Sequence, residues 1–250
     1  MRGGALVLVR LALLAAVLLL WEGLPRSGIV NPMLLPPLSD VLDALVVILG
    51  RPDVHHALGI TAAEVVVAFA IAVPLGTALG VLSAENEYFG EIFRPMLFYV
   101  FSIPKSIFLP MFILVFGIGF PQKVAYAAFS TVFIVIMSAS AAVESVKAEH
   151  LLVARSYGAT RQQILRRVYL PSMLPILLEA LRISMIFNFT GVMIAEMYAS
   201  RVGIGRLIAD WGENFEMAKL LAGVILLAAA AMAFNEAVRS LEARCSTWRA

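Results

Sequence analysis

The chain has 250 residues, 61% of them hydrophobic and only 14% charged, with a mean hydropathy of +0.92, whereas a soluble domain carries about 25% charged residues. Nineteen Lys and Arg against 17 Asp and Glu give a formal charge of +2, and the absence of a long basic run argues against a nucleic-acid partner. The single cysteine, Cys245, excludes an intrachain disulfide framework, and no His or Glu cluster stands at metal-ligand spacing. The composition therefore predicts an all-α integral membrane protein.

Taken in chain order, the first apolar run covers residues 5–21 and is interrupted only by Arg10. Arg2 ahead of residues 11–20 also fits a secretory signal. Trp21 and Glu22, with no small-residue cleavage site, favour a retained anchor. Residues 31–50 open with Pro32, Pro36 and Pro37 and place Ser39-Asp40 before an apolar stretch, which predicts a capped amphipathic helix of about 11 residues, too short to span, on the outer face. Uncharged runs follow at 65–84, 106–122 and 124–143, and interrupted ones at 174–199 and 220–238. About 20 helical residues cross about 30 Å of hydrocarbon, so about six transmembrane helices are expected. The organisation reads as an anchor helix at 1–30, an outer-face segment at 31–58 and a core at 59–250. With the N-terminus inside, ten loop Lys and Arg fall on the cytoplasmic side, among them Lys147, and six, including Lys123, on the other, which puts both termini in the cytoplasm.

The longest polar excursion between later spans is residues 144–171. Helix formers run from Lys147 to Tyr157 and stop at Gly158, which can take the left-handed conformation that closes a helix. Thr160 then stands three residues before Gln163, the spacing of a capping box. A second helix is expected to present Ile164, Leu165, Val168 and Tyr169 as an apolar stripe, with Arg161, Arg166 and Arg167 toward water or phosphate, until Pro171 interrupts it. From the residues alone, this two-helix loop is open to three readings: a membrane-surface connector, a seat for a partner, or a helix-turn-helix, the last disfavoured by its tether between two spans.

Charged residues within spans are costly and face a partner or a cavity. Lys105, between Pro104 and Pro110, marks a place where a broken helix could open onto a water-filled path and attract an anionic solute. An ion pair or snorkelling is the alternative. Glu196, near the outer end of the fifth span, either lines a vestibule or reaches the headgroups. Asn188 is expected to bridge helices by hydrogen bonding. The aromatic series Phe98, Tyr99, Phe101, Phe108, Phe112 and Phe116 reads as packing rather than as a site for an aromatic solute.

The 144–171 loop resembles a known signature. Ala154, Gly158, Val168 and Leu170-Pro171 match the Glu-Ala-Ala, three residues, Gly, nine residues, Ile, one residue, Leu-Pro pattern of ABC importer permeases, while Leu152 and Val153 depart from its Glu and Ala. The proline-rich segment at 35–41, Ile103-Pro104 through Phe116-Gly117-Ile118-Gly119, Ala195-Glu196-Met197 and Gly203-Ile204-Gly205-Arg206 resemble the nitrate/sulfonate/taurine branch, in order, over residues 35–244. In that branch a basic residue tends to stand where this chain has Glu64.

The resemblance implies a transport subunit that works in pairs, receives a small nitrate-, sulfonate- or taurine-like solute from an external binding protein, and seats its coupling loop on a separate cytoplasmic ATPase. It assigns coupling to Leu152, Ala154, Arg155, Tyr157, Gly158, Ala159, Leu170 and Pro171, and the bacterial inner membrane as the location. No G-x-x-x-x-G-K-[ST] phosphate loop occurs, so ATP with magnesium is expected on the partner and no cofactor on this chain. A gradient-driven secondary transporter is the alternative, but it would favour inverted repeats, and none is evident. A membrane enzyme would need convergent catalytic groups, whereas His55 and His56 are predicted on the opposite side of the bilayer from His150.

Overall fold

A computed structural model describes residues 2–146 and 148–245. The helices are α1 (Arg2–Arg26), α2 (Leu38–Leu49), α3 (Pro52–Glu85), α4 (Glu87–Ser102), α5 (Leu109–Phe116), α6 (Phe120–Glu144), α7 (Ala148–Ser156), α8 (Arg161–Ile164), α9 (Leu170–Ala199), α10 (Ile204–Glu213) and α11 (Met217–Cys245). Five stretches, Leu6–Arg26, Pro52–Glu85, Phe120–Glu144, Gln162–Ala199 and Met217–Glu236, are long and apolar enough to cross a bilayer. A sixth span results if α4 and the following Lys105–Phe116 segment, bent by 90°, count as one. No strand occurs among the described residues. The protein is thus the all-α membrane protein that its composition predicts.

The chain forms two compact units, residues 1–59 with 202–230, and residues 60–201 with 231–250. In the first unit the start of α2 departs from expectation. Its N-cap is Pro37, with no side-chain cap. The expected capping residue, Ser39, instead gives its N–H to Glu22 Oε2 at 3.0 Å and its hydroxyl to Glu22 Oε1 at 3.1 Å. A carboxylate from α1 thus satisfies a first-turn donor, favourably placed at the positive end of the α2 dipole. Trp21 adds an indole bond to the Pro36 carbonyl at 3.1 Å. In the same unit Gly223 gives α11 room to approach Ile208 and Trp211 of α10.

The second unit is built around α6, whose principal partner is α9. Gly191 lets α9 approach the backbone of Ala127, and Gly76 and Gly80 do the same for α3 against Val135, Ile136 and Ala139. Small residues at such crossings replace the hydrophobic drive that lipid removes with close van der Waals contact. Asn188 makes the expected bridge, donating to the Val65 carbonyl at 2.7 Å and accepting from Thr131 at 3.4 Å, which joins α9, α3 and α6.

Two expectations need correction. The uncharged run 106–122 is not one straight helix. Within it a 3-10 turn over Lys105–Phe108 leads into α5, which ends at Phe116 where Gly117 takes φ +71°, and α6 starts afresh at Phe120. Ahead of that turn Ile103 is extended (φ −78°, ψ 129°), the conformation favoured before a proline, so α4 stops at Ser102 and the Lys105–Phe116 segment leaves it at a right angle. Pro171 does not end the second loop helix. The chain passes from α8 through a π-turn at Leu165–Tyr169 straight into α9, with Pro171 in the first turn of α9. A proline needs no N–H there, and the wider turn ahead of it gives its ring room.

Gly80→Leu is expected to destabilise the purified protein by about 1–3 kcal/mol, since even a Cβ would stand 2.5 Å from the Ile136 carbonyl oxygen and 2.6 Å from Ala139 Cβ. The thermal midpoint in detergent reads this, with Gly59→Ala, where a Cβ meets nothing within 4 Å and helix propensity rises slightly, as the control that does not lower it.

Candidate functional site

The loop between α6 and α9 closes both of its helices internally. Gly158 takes φ +74°. Its N–H reaches the Arg155 carbonyl at 2.9 Å while Ala159 N–H reaches the Ala154 carbonyl at 3.0 Å, the paired bonds of a Schellman ending. The capping box follows at once: Thr160 N–H donates to Gln163 Oε1 at 2.8 Å, and Gln163 N–H donates to Thr160 Oγ1 at 3.3 Å. The orphan groups around the turn thus have partners before any second protein arrives.

Its inner face is anchored. Leu151, Val168 and Tyr169 pack on a core of Ala142, Val143, Val146 and Met173, and Ile164 is buried. Its outer face is apolar where water would be expected, with Leu152 65% and Tyr157 88% exposed beside exposed Arg155 and Gly158. Of the other residues assigned to coupling, Ala154, Ala159 and Pro171 are half-buried and Leu170 is exposed. Arg166 and Arg167 are exposed as expected, whereas Lys147 and the side chains of Arg161 and Leu165 lie outside the described residues.

The root of this loop is tied to the broken span. Arg94 of α4 pairs with Glu144, the last residue of α6, at 2.5 Å and donates to the Ser83 carbonyl of α3 at 3.0 Å. Beneath the pair lies a cavity of about 270 Å³ lined in part by Leu97, Phe98, Met137 and Ser140.

Toward the other end of the same helices stands a charge cluster that sequence reasoning missed. Lys123, counted above as an outer-loop cation, is completely buried at the start of α6. Its ammonium pairs with Glu64 Oε1 of α3 and lies 3.9 Å from Glu196 Oε1 of α9. Glu196 Oε1 also accepts the Thr61 hydroxyl at 2.7 Å. Glu64 and Glu196 are themselves fully buried, so Glu196 faces the interior of the protomer and not the headgroups. Of the two carboxylates, Glu64 is the nearer counter-charge of Lys123. The available signal was depth: all three charges sit toward the same side of α3, α6 and α9.

Lys105 differs from Lys123 in every respect. It is half-buried at the 90° break, its ammonium donates to the Phe101 carbonyl one turn back, and it lies 4.0 Å from the Phe101 ring centroid and 5.8 Å from that of Phe133. Most of the aromatic series pack as expected: Phe108 and Phe112 meet Phe129 at 5.3 Å, and Phe112 also meets Tyr126 and Phe116. Phe98 and Tyr99 are exposed.

Five helices long and apolar enough to cross a bilayer, with a sixth span if α4 and the bent Lys105–Phe116 segment count as one, make this a multi-pass membrane protein. Over residues 72–246 the chain matches the family described as the binding-protein-dependent transport system inner membrane component, and it belongs to that family. It is 29% identical over 247 residues to the taurine transport system permease protein of Escherichia coli, covering 97% of this chain and 90% of that one. It is 28% identical over 240 residues to a putative aliphatic sulfonates transport permease protein of Bacillus subtilis, covering 96% and 87%. To the nitrate import permease protein of Leptolyngbya laminosa it is 22% identical over 181 residues, covering 72% and 65%. An inward-facing structure of a methionine ABC transporter shares the fold, with TM-score 0.63 and 20% identity over 79% of this chain and 95% of that one. The protein is therefore a multi-pass inner-membrane permease subunit of an ABC importer, and not the subunit that hydrolyses ATP.

Lys123→Met leaves two buried carboxylates without their cation and is expected to cost about 3–5 kcal/mol, read as loss of folded protein on detergent extraction. Exchanging the charges, Glu64→Lys with Lys123→Glu, is expected to recover part of that loss.

Proposed function

We propose that this subunit imports a small solute bearing an anionic group, of the sulfonate, taurine or nitrate kind, delivered by an external solute-binding protein and driven by ATP hydrolysis on a separate cytoplasmic ATPase. The observation that carries this reading is the loop at 144–171, a prefolded two-helix unit whose outer face shows Leu152, Arg155, Tyr157 and Gly158 to solvent. The names of the relatives support the solute class. A second copy of this chain completes the path, lipid surrounds the pair, and the excess of loop cations on one side puts both termini in the cytoplasm.

In this mechanism two ATPase subunits close on ATP with magnesium, which they alone hold, and draw the paired loops together. The loop is rooted in α6 and runs unbroken into α9, so its displacement reaches both helices, and through Arg94 it also reaches α4. The spans then rock from inward- to outward-facing, and hydrolysis resets them. ATP and solute act through one two-state element, as reciprocal coupling requires. Leu152 replaces a family glutamate with an apolar contact, Ala154 and Ala159 allow close approach, and Leu170-Pro171 sets where the loop joins its span. Lys105 lines the path, while Glu196 shapes it from within through its bonds to Thr61 and Lys123.

Gly158→Val forces a β-branched residue into a left-handed conformation, at a cost of about 1–2 kcal/mol, and is expected to reduce solute uptake to background while the subunit still reaches the membrane. Normal uptake by that variant would remove the coupling assignment. Affinity purification from the native host in mild detergent is expected to bring down a P-loop ATPase and, after crosslinking, a solute-binding protein. An assembly reproducibly free of any ATPase would refute the reading.

A further inference from the structure

We propose that the ammonium of Lys105 is an anion-contact point on the solute path, set in the break between α4 and α5 to take an oxygen of a sulfonate, carboxylate or nitrate as it passes. The inference rests on the importer reading above and gives it a residue that reads the charge of the cargo.

The two membrane lysines of the second unit make the argument by contrast. Lys123 is sealed from solvent beside two carboxylates, whereas Lys105 has no carboxylate within 4 Å among the described residues. An ammonium has three donors. One is used on the Phe101 carbonyl, and the rings of Phe101 and Phe133 supply cation–π stabilisation. The positive charge is therefore held in place without being neutralised. Nor does the side chain extend away from the break toward an interface: it folds back over the last turn of α4.

The backbone around it fits the same purpose. Irregular backbone at membrane depth is tolerated where protein buries it or where it lines a water-filled cavity. Here the chain on either side of the lysine is exposed, Ser102, Pro104 and Ser106 along with Ile103 and Ile107, so the two hydroxyls and the ammonium share one open stretch of backbone. Two remaining donors on a ring-held ammonium give an anion a foothold that is favourable yet weak enough to leave, as conduction through a path demands. A cation meets only repulsion.

The test uses the whole transporter in membranes, with Cys245→Ser removing the native thiol and Ser106→Cys providing a reporter beside Lys105. Its labelling rate is measured with the negatively charged ethylsulfonate methanethiosulfonate and with the positively charged trimethylammonium ethyl analogue. With Lys105 present, the anionic reagent is expected to lead by about tenfold after correction for intrinsic reactivity. The lead should shrink as salt rises, vanish in Lys105→Gln and return in Lys105→Arg. Equal corrected rates in the Lys105 protein at low salt would overturn the proposal, as would a preference that survives Lys105→Gln. So would inertness of both the Ser106→Cys and Ser102→Cys reporters to both reagents, with and without trapped nucleotide, since the break would then not be water-lined. The readout needs no ATP hydrolysis, so failure of ATP-driven uptake by the unmodified complex would instead count against the importer reading.

Discussion

An ammonium group shut away from water must bring its counter-charge with it, and Lys123 brings two. Because Glu64 comes from α3, Lys123 from α6 and Glu196 from α9, meeting the electrostatic demand of one side chain joins three spans. Thr61 completes the bracket. About two turns away along α6 and α9, and at the residue next to Glu64 on α3, the amide of Asn188 spans the same three elements, and glycines at the crossings bring their backbones into contact. In lipid, where apolar surface gains nothing by leaving its surroundings, this combination of charge, hydrogen bond and close packing makes α3, α6 and α9 a single body.

Against that body the α4–α5 segment is a contrast in construction. Its prolines and the extended residue at Ile103 interrupt the helical ladder, its tie at the opposite end from the lysine cluster is the partly exposed Arg94–Glu144 pair, and its outward side is apolar, with Leu114 and Val115 largely exposed. The α5 half of the segment nonetheless packs on that body, with Leu109, Phe112 and Ile113 against Tyr126 of α6 and Ala195 of α9, so the break at Ile103 divides a half held by apolar contacts from a half tied at its far end by a charge pair.

Much of this was legible in the sequence. The apolar runs gave the spans, Gly158 gave the turn, and the Thr160–Gln163 spacing gave a capping box that forms bond for bond, since such local rules depend on a few neighbouring residues. What escaped depends on long-range partners. Lys123 looks like a loop cation because it lies between two apolar runs, and only the alignment of three helices in depth reveals its partners. Ser39 looks like a cap because nothing in its own segment announces Glu22. Pro171 looks like a helix stop because a π-turn five residues long has no sequence pattern that distinguishes it from an ordinary helix end. The right angle at Pro104 was half-visible: the prolines marked a break, but not how far the chain would turn.

The uninterrupted run from Gln162 to Ala199 is 38 residues, about 57 Å of rod against a hydrocarbon slab of about 30 Å. Much of it must therefore stand outside the slab or lie oblique within it. Such a rod is a lever with its fulcrum in the membrane, and a tilt of about 10° over a free arm of about 20 Å carries the tip some 3–4 Å, roughly two residues of helical rise. The capped turn sits at that tip, and the π-turn, the one wide coil in the rod, lies just behind it. A partner gripping the turn gains mechanical advantage over the whole span, and the wide coil is where the arm can flex when load and grip disagree.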